Sequence, residues 1–248
     1  MLKWYKADLH IHTVLSPCAD LSMGPRDIVH RALSRKIDCI AITDHNSAEN
    51  VRAVVGAAEG FPLCVIPGME VYVREEAHMI CLFPDLEHLI EFQAFVYEHI
   101  LDGEYDERMF GPQIICDRDE NIIGKSTRFL ALPLTASLNS VAGEVLKAGG
   151  LFYPAHIDRQ ANSILRTLGF IPANLQIDAL EISSSLETAR KRVPLLRDTE
   201  YTLIRASDAH DIEQIGSAVT YIMCEQPSFT ELARAIKRAD GRYTALKI

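Results

Sequence analysis

Short, strongly apolar runs recur along the chain at residues 7–12, 38–44, 63–73, 78–83, 151–157, 178–183, 202–208 and 218–224. Most are near-continuously apolar and rich in β-branched residues, the pattern of strands buried on both faces. Between several of them, residues 24–37, 47–60, 137–150 and 228–241 carry apolar residues at helical spacing. Pro25 and Asp27 mark the start of the first of these segments, and glycines close the last two. Such alternation predicts an α/β fold with a parallel sheet of βα units, which seven or eight repeats would close into a barrel. The pattern breaks at 84–135: residues 86–101 have helical spacing, and in 111–126 two apolar triplets flank a charged turn, as in a hairpin. This stretch reads as an insertion on the barrel, a lid or a partner surface. No repeat, low-complexity tract or Pro/Gly-rich linker interrupts the chain, so residues 1–248 read as one domain.

Composition narrows the classes of partner. With Lys+Arg 25 and Asp+Glu 34, the net charge of −9 gives no general attraction to a nucleic-acid backbone or an anionic membrane. A small substrate is therefore favoured over nucleic acid, although a local cationic cleft or bound metal would still hold a phosphate. The first residues lack the apolar core of a signal peptide, and no apolar run has the length of a bilayer span, which predicts a cytoplasmic protein. The six cysteines form no C-x-x-C pair, and Cys39, Cys64, Cys81 and Cys224 sit in strand-like stretches, as reduced core thiols do.

The chemistry gathers at strand ends. Side chains alternate along a strand, so Asp8, His10 and His12 share one face of the first run. Asp44 and His45, Glu70, His156, and Asp208 with His210 each fall at or just past the carboxyl end of a run, and His78 opens another. Residues so placed converge on one face of a barrel. Six of the nine histidines belong to this set, while His30, His88 and His99 lie in helix-like segments. Imidazoles bind Zn, Mn or Fe, and carboxylates bridge such ions, so the set predicts two or three divalent transition metals. An H-x-H pair alone would be weak; its weight comes from the other strand ends.

The segments DLHIHT (8–13), AITDHN (41–46), PGMEV (67–71), PAHIDR (154–159) and ASDAH (206–210), in this order, resemble the motifs of the PHP (polymerase and histidinol phosphatase) superfamily of metal-dependent phosphoesterases. The resemblance implies a distorted (β/α)7 TIM-like barrel with a trinuclear site at the strands' carboxyl ends. By it, His10, His12, Glu70 and Asp208 hold a first metal, Glu70 bridges to a second completed by His78 and His156, and His45 and His210 hold the third. The chain departs from the family after HIHT, where Pro17 stands at the position of a further ligand to the third metal. Asp20 is the nearest carboxylate, either a ligand or a loop residue, and Cys18 is a thiol candidate.

Asp8 and Asp44 are read as carboxylates that orient ligand histidines, a role also open to Glu181. Arg159 lies three residues after His156 and can pair with a substrate phosphate, as relatives with this arginine do. Glu70, Asp208 and Arg159 are then the catalytic candidates, with a hydroxide bridging the Glu70-bound metals as nucleophile. The leading expectation is hydrolysis of a small phosphate monoester, a nucleotide or a metabolite phosphate such as histidinol phosphate. The alternatives are an exonuclease trimming 5′ or 3′ ends and a non-catalytic, metal-stabilised partner-binding module.

Overall fold

Each of the eight apolar runs forms a strand in the computed structural model, which describes residues 1–101 and 105–248. In chain order these are β1 (Lys3–Ile11), β2 (Cys39–Ile42), β3 (Cys64–Tyr72) and β4 (His78–Leu82), then, after the short β5 (Ile114–Cys116) and β6 (Ile122–Lys125), β7 (Leu151–Pro154), β8 (Ala179–Ile182), β9 (Thr202–Arg205) and β10 (Thr220–Cys224). A last strand, β11 (Tyr243–Ala245), has no counterpart in the apolar pattern, because three half-exposed residues leave no period to read. The four helical segments form α1 (Pro25–Ser34), α2 (Val51–Ala57), α5 (Leu138–Lys147) and α8 (Phe229–Ile236). The stretch 86–101 supplies α3 (Leu86–Glu98), and three short helices complete the set: α4 (Glu107–Phe110), α6 (Ile164–Thr167) and α7 (Leu186–Arg192). Side chains of Asp85, Ser137, Ser185 and Ser228 accept a backbone N–H at the starts of α3, α5, α7 and α8, satisfying donors a helix leaves free.

The sheet is mixed, where the alternation predicts a parallel one. Seven strands run in the order β11-β10-β1-β2-β3-β4-β7, parallel only at β1–β2 and β2–β3. Pairings β3–β4, β4–β7, β1–β10 and β10–β11 are antiparallel. The reason at β4 is the link: five residues, 73–77, join it to β3, too few for the crossover that a parallel neighbour requires. Strands β8 and β9 form a separate parallel pair. Ile157 N donates to Glu181 O beside β7, and a parallel bridge between Ile11 and Ala209 ties the end of β9 to β1. The curled sheet and this pair thus bring the carboxyl ends of β1, β2, β3, β7, β8 and β9 into one neighbourhood.

Two buried clusters hold the layers. The larger packs Ile40, Ile42, Met69, Val71, Met79 and Cys81 of the sheet against α1, α2, α3 and α5. The other joins Ala7, Leu9, Ala41, Ile66, Ile80, Tyr153 and Ile204 to Leu232, Ala235 and Ile236 of α8. Helix α3 buries Leu89, Phe92 and Val96 in the larger cluster, and the β5–β6 hairpin is moored by Asn50, which donates to Ile114 O and accepts from Cys116 N, both at 3.0 Å. The described part of 84–135 is therefore built into the body. No helix among the described residues is long and apolar enough to cross a membrane.

Candidate metal centre

Histidines from six places in the sequence meet over the strand ends. A cavity of about 220 Å³ is lined by His45, His78, His156 and His210 with Glu70 and Asp208, and by Cys18, Arg159, Ala161 and Asn162. Beneath it, His10 and His12 are fully buried on β1 and just past its end. Their Nε2 atoms lie 3.1 Å apart, each 3.1 Å from Asp208 Oδ1. Glu70, at 0% exposure, sits at the centre. Its Oε1 is 2.9 Å from His78 Nδ1 and 3.1 Å from His156 Nε2, and its Oε2 is 3.0 Å from His45 Nδ1 and 3.4 Å from His12 Nε2. Two of these residues have left-handed backbones, His156 at φ 29° and Asp208 at φ 51°, which turn their side chains out of the strand direction; such strain clusters at functional sites.

The surrounding hydrogen bonds fix which ring nitrogens are free. His10 Nδ1 lies 3.0 Å from the Glu181 carboxylate, which can only accept, so Nδ1 carries a proton and the neutral ring has its lone pair on Nε2. Ser16 Oγ donates to Asp44 Oδ1 at 2.7 Å and therefore accepts from His12 Nδ1 at 2.9 Å. The carbonyl of Asp208 accepts from His210 Nδ1 at 2.9 Å. In their neutral forms these three imidazoles carry the lone pair on Nε2, and those of His10 and His12 meet beside Asp208 Oδ1. Without a cation between them that contact is repulsive. Glu70 Oε2 and His156 Nδ1 are also buried with no aligned hydrogen-bond partner among the described residues. Imidazole and carboxylate donors in this arrangement fit divalent transition metals.

Facing charges also shift the protonation of these side chains. Burial alone would depress His10 and His12, but the carboxylates around them outweigh it: His10 is raised well above its ordinary value and His12 to about 9. His45 is likewise raised to about 9, against burial and the charge of His12, chiefly by Glu70. His78, at about 4, and His210, at about 3, are held down by burial, His210 also by the charge of His12. Glu70 and Asp208 are held far below the carboxylate range; burial opposes this, and facing histidines prevail.

The donor atoms converge in three groups: His10, His12, Glu70 and Asp208; His45, Glu70 and His78; and His12, His45 and His210. The first is the set expected for one metal. In the others His45 joins Glu70 and His78, and His12 joins His45 and His210, while His156 stands outside these groups although its Nε2 touches Glu70. Asp20 is not brought to the cavity: it is exposed and its Oδ1 accepts from Ser22 N, as a turn residue does. Cys18 is the residue of that loop on the cavity wall. Asp44 acts on His12 through Ser16. Asp8 reaches no histidine; it accepts from Ser207 N and Gly216 N, tying β1 to the loops after β9. Glu181 is the carboxylate that orients histidines, holding His10 by its ring and His156 by its backbone N–H. Ser16 is not foreseen by the sequence, since a lone serine in a loop carries no signal of its own. Arg159 pairs with Asp208 Oδ2, the oxygen turned away from His10 and His12.

The profile of the PHP domain matches residues 8–174, and that of a PHP-associated segment matches residues 195–240. A stretch of 97 residues is 36% identical to the 5′-3′ exoribonuclease Rnm of Escherichia coli, and one of 86 residues is 35% identical to that of Salmonella typhimurium. These stretches cover 31% and 28% of the two proteins, so the chain spans about a third of the length of the curated relatives it matches. In fold, it superposes on the lesion-specific endonuclease PfuEndoQ of Pyrococcus furiosus with a TM-score of 0.74 at 18% identity, over 98% of this chain and 58% of that one. An amidohydrolase of Chromobacterium violaceum, solved with sulfate and no metal, gives 0.58 at 20% identity, covering 93% and 96%. Of the clustered ligand candidates, those from His10 to His156 fall in the first matched segment and Asp208 and His210 in the second, and the chain belongs to the PHP domain family.

Proposed function

We propose that the chain is a metal-dependent phosphoesterase that hydrolyses phosphodiesters of a nucleic-acid strand from its end. The observation that carries this reading is the convergence of six histidines, Glu70 and Asp208 under a cavity of only about 220 Å³, with Arg159 at its rim. That volume takes a phosphoryl group and little else, below the range of about 300–1,000 Å³ in which small ligands are enclosed. Recognition must then come from surface outside the cavity, as it does for a polymer end. Charge distribution agrees. Residues 1–150 hold 13 basic and 22 acidic side chains, whereas residues 151–248 hold 12 of each, so the acidic excess lies wholly in the first part of the chain. The net charge of −9 therefore does not disfavour nucleic acid at this rim, contrary to its reading from composition alone. The curated relatives' exoribonuclease activity points the same way.

We assign His10, His12, Glu70 and Asp208 to one metal, Glu70, His78 and His156 to a second, and His45 and His210, with His12 beside them, to a third. When bound, such ions supply a water acidified to near neutrality and positive charge at the phosphoryl oxygens. Glu70 spans the first two sites, Asp208 turns one oxygen to the histidines and the other to Arg159, and Glu181 and Ser16 hold His10 and His12 in the ligating tautomer. Arg159 binds a non-bridging phosphate oxygen through its fork of N–H donors. Strands β1 to β4 and β7 to β9 then make the distorted seven-stranded barrel of the family, with the whole chain acting as one cytoplasmic unit. The test is a panel of 5′-phosphorylated oligoribonucleotides, oligodeoxyribonucleotides and nucleoside monophosphates, assayed with Mn, Zn or Fe returned to chelated protein. Stepwise release of mononucleotides is expected. Turnover of mononucleotides with every oligonucleotide left intact would restore the small-monoester reading.

A further inference from the structure

Arg159 forms a wall of two cavities. Beyond the metal cavity it also lines a second one of about 330 Å³, together with Arg166, Arg192, Gln160, Leu165 and Leu195. The only carboxylate among the described residues there, Asp158, is buried, and both its oxygens are taken by Ser183 and Ser184. Arg166 and Arg192 are exposed and meet no carboxylate among the described residues. Arg159 is matched by Asp208, which leaves Arg166 and Arg192 as the two guanidinium groups on this wall with no acid among the described residues to offset them. Among the described residues about half of the other exposed arginines pair with an acid, such as Arg26 with Asp119 and Arg118 with Glu59; what sets Arg166 and Arg192 apart is the cavity they share with Arg159. Gly169 lines the same cavity, and the residue that follows it, Phe170, is 61% exposed.

We infer that this second cavity is a strand-binding subsite that receives the phosphodiester adjacent to the one held at the metals. Arg166 and Arg192 bind its oxygens, Arg159 stands between the two phosphates, and Phe170 with the apolar Leu165 and Leu195 offers a surface on which a base stacks. Guanidinium forks match phosphate geometry, and base stacking on an aromatic ring tolerates any sequence, so the ligand class is a single strand read without base preference. The inference rests on the nuclease reading and deepens it, since a monoester ends inside the first cavity.

The experiment compares metal-reconstituted full chain with the R166A/R192A and R166K/R192K variants. The substrates are bis(p-nitrophenyl) phosphate, which is too short to reach the second cavity, and 5′-phosphorylated oligoribonucleotides of two to eight nucleotides. For R166A/R192A, KM is expected to rise at least tenfold on oligonucleotides of three nucleotides or more, with kcat within twofold and KM on the chromogenic diester unchanged. The dependence of log KM on log salt concentration should flatten by about 0.7 for each phosphate that the variant no longer neutralises. R166K/R192K should recover the salt dependence and only part of the affinity, because lysine keeps the charge and loses the fork. An R166A/R192A variant with unchanged KM and salt slope overturns the subsite and leaves the nuclease reading intact. An equal fall in activity on all substrates also overturns it, placing the arginines in the structure of the metal cavity. Wild-type protein that cleaves the chromogenic diester and no oligonucleotide overturns both readings.

Discussion

At the scale of residues, the candidate ligands are held in place by groups outside the three donor clusters. Glu181 reaches His10 across 171 positions of sequence and fixes its ring proton on Nδ1. Replacing it with glutamine keeps the shape but lets the amide turn either a donor or an acceptor to that nitrogen. Metal affinity should fall by about 10–100-fold, the usual cost of losing such a partner. Competition with a coloured chelator measures this, and affinity equal to wild type would return Glu181 to a packing role. Glu70→Gln removes the charge common to two of the ligand groups, and metal-dependent hydrolysis should disappear; full turnover in that variant sinks the bridging assignment. Arg159→Ala deletes charge-assisted hydrogen bonds worth about 1.5–3 kcal/mol, so KM for a phosphoester should rise about 10–100-fold with metal content unchanged. The strand-end histidines are legible in the sequence because alternation and strand boundaries dictate where they point. Ser16 and Glu181 gain their roles only where distant parts of the chain meet, and Asp20 is carried away from the cavity by the path of a turn, which the spacing of residues does not encode.

At the scale of elements, apolar runs tell where strands lie and leave their direction open. A run buried on both faces looks alike in parallel and antiparallel ladders, and the short 73–77 link is the one local sign that β4 turns back on β3. The 84–135 stretch does form a helix followed by a hairpin, as its spacing predicts, but its docking is set by buried polar ties absent from any local pattern. Asn50 is the main one: it donates to Thr13 Oγ1 and Ile114 O and accepts from Cys116 N, all at 3.0 Å. Asn50→Ala takes a donor from the Ile114 carbonyl and the acceptor from the Cys116 N–H, whereas Thr13 Oγ1 keeps Asp44 and Leu15 N as partners. A loss of about 1–3 kcal/mol is expected, with faster amide exchange confined to β5 and β6 and their surroundings. Uniform acceleration across β1 to β4 would show instead that Asn50 supports the whole sheet.

Across the whole molecule, the cluster couples metal binding, protonation and stability. His10, His12 and His45 are raised above the ordinary histidine value of 6.5, His12 and His45 to about 9. Protons on these rings therefore favour the fold in chelated protein. That contribution is fully present below pH 6.5 and is lost as pH rises to about 9. The other displaced groups of the site act elsewhere: His78 and His210 are lowered to about 4 and 3, and buried Asp8 is raised to about 6, so their windows end below 6.5. Metals reverse the sign, because they compete with the same protons for the ring nitrogens and bind more tightly as pH rises. Their stabilisation grows with the ratio of free metal to its dissociation constant. Between pH 6.5 and 9, thermal midpoints should fall for protein kept in chelator and hold or rise for protein with excess Mn or Zn. Parallel curves under the two conditions would mean that these histidines do not exchange protons for metal.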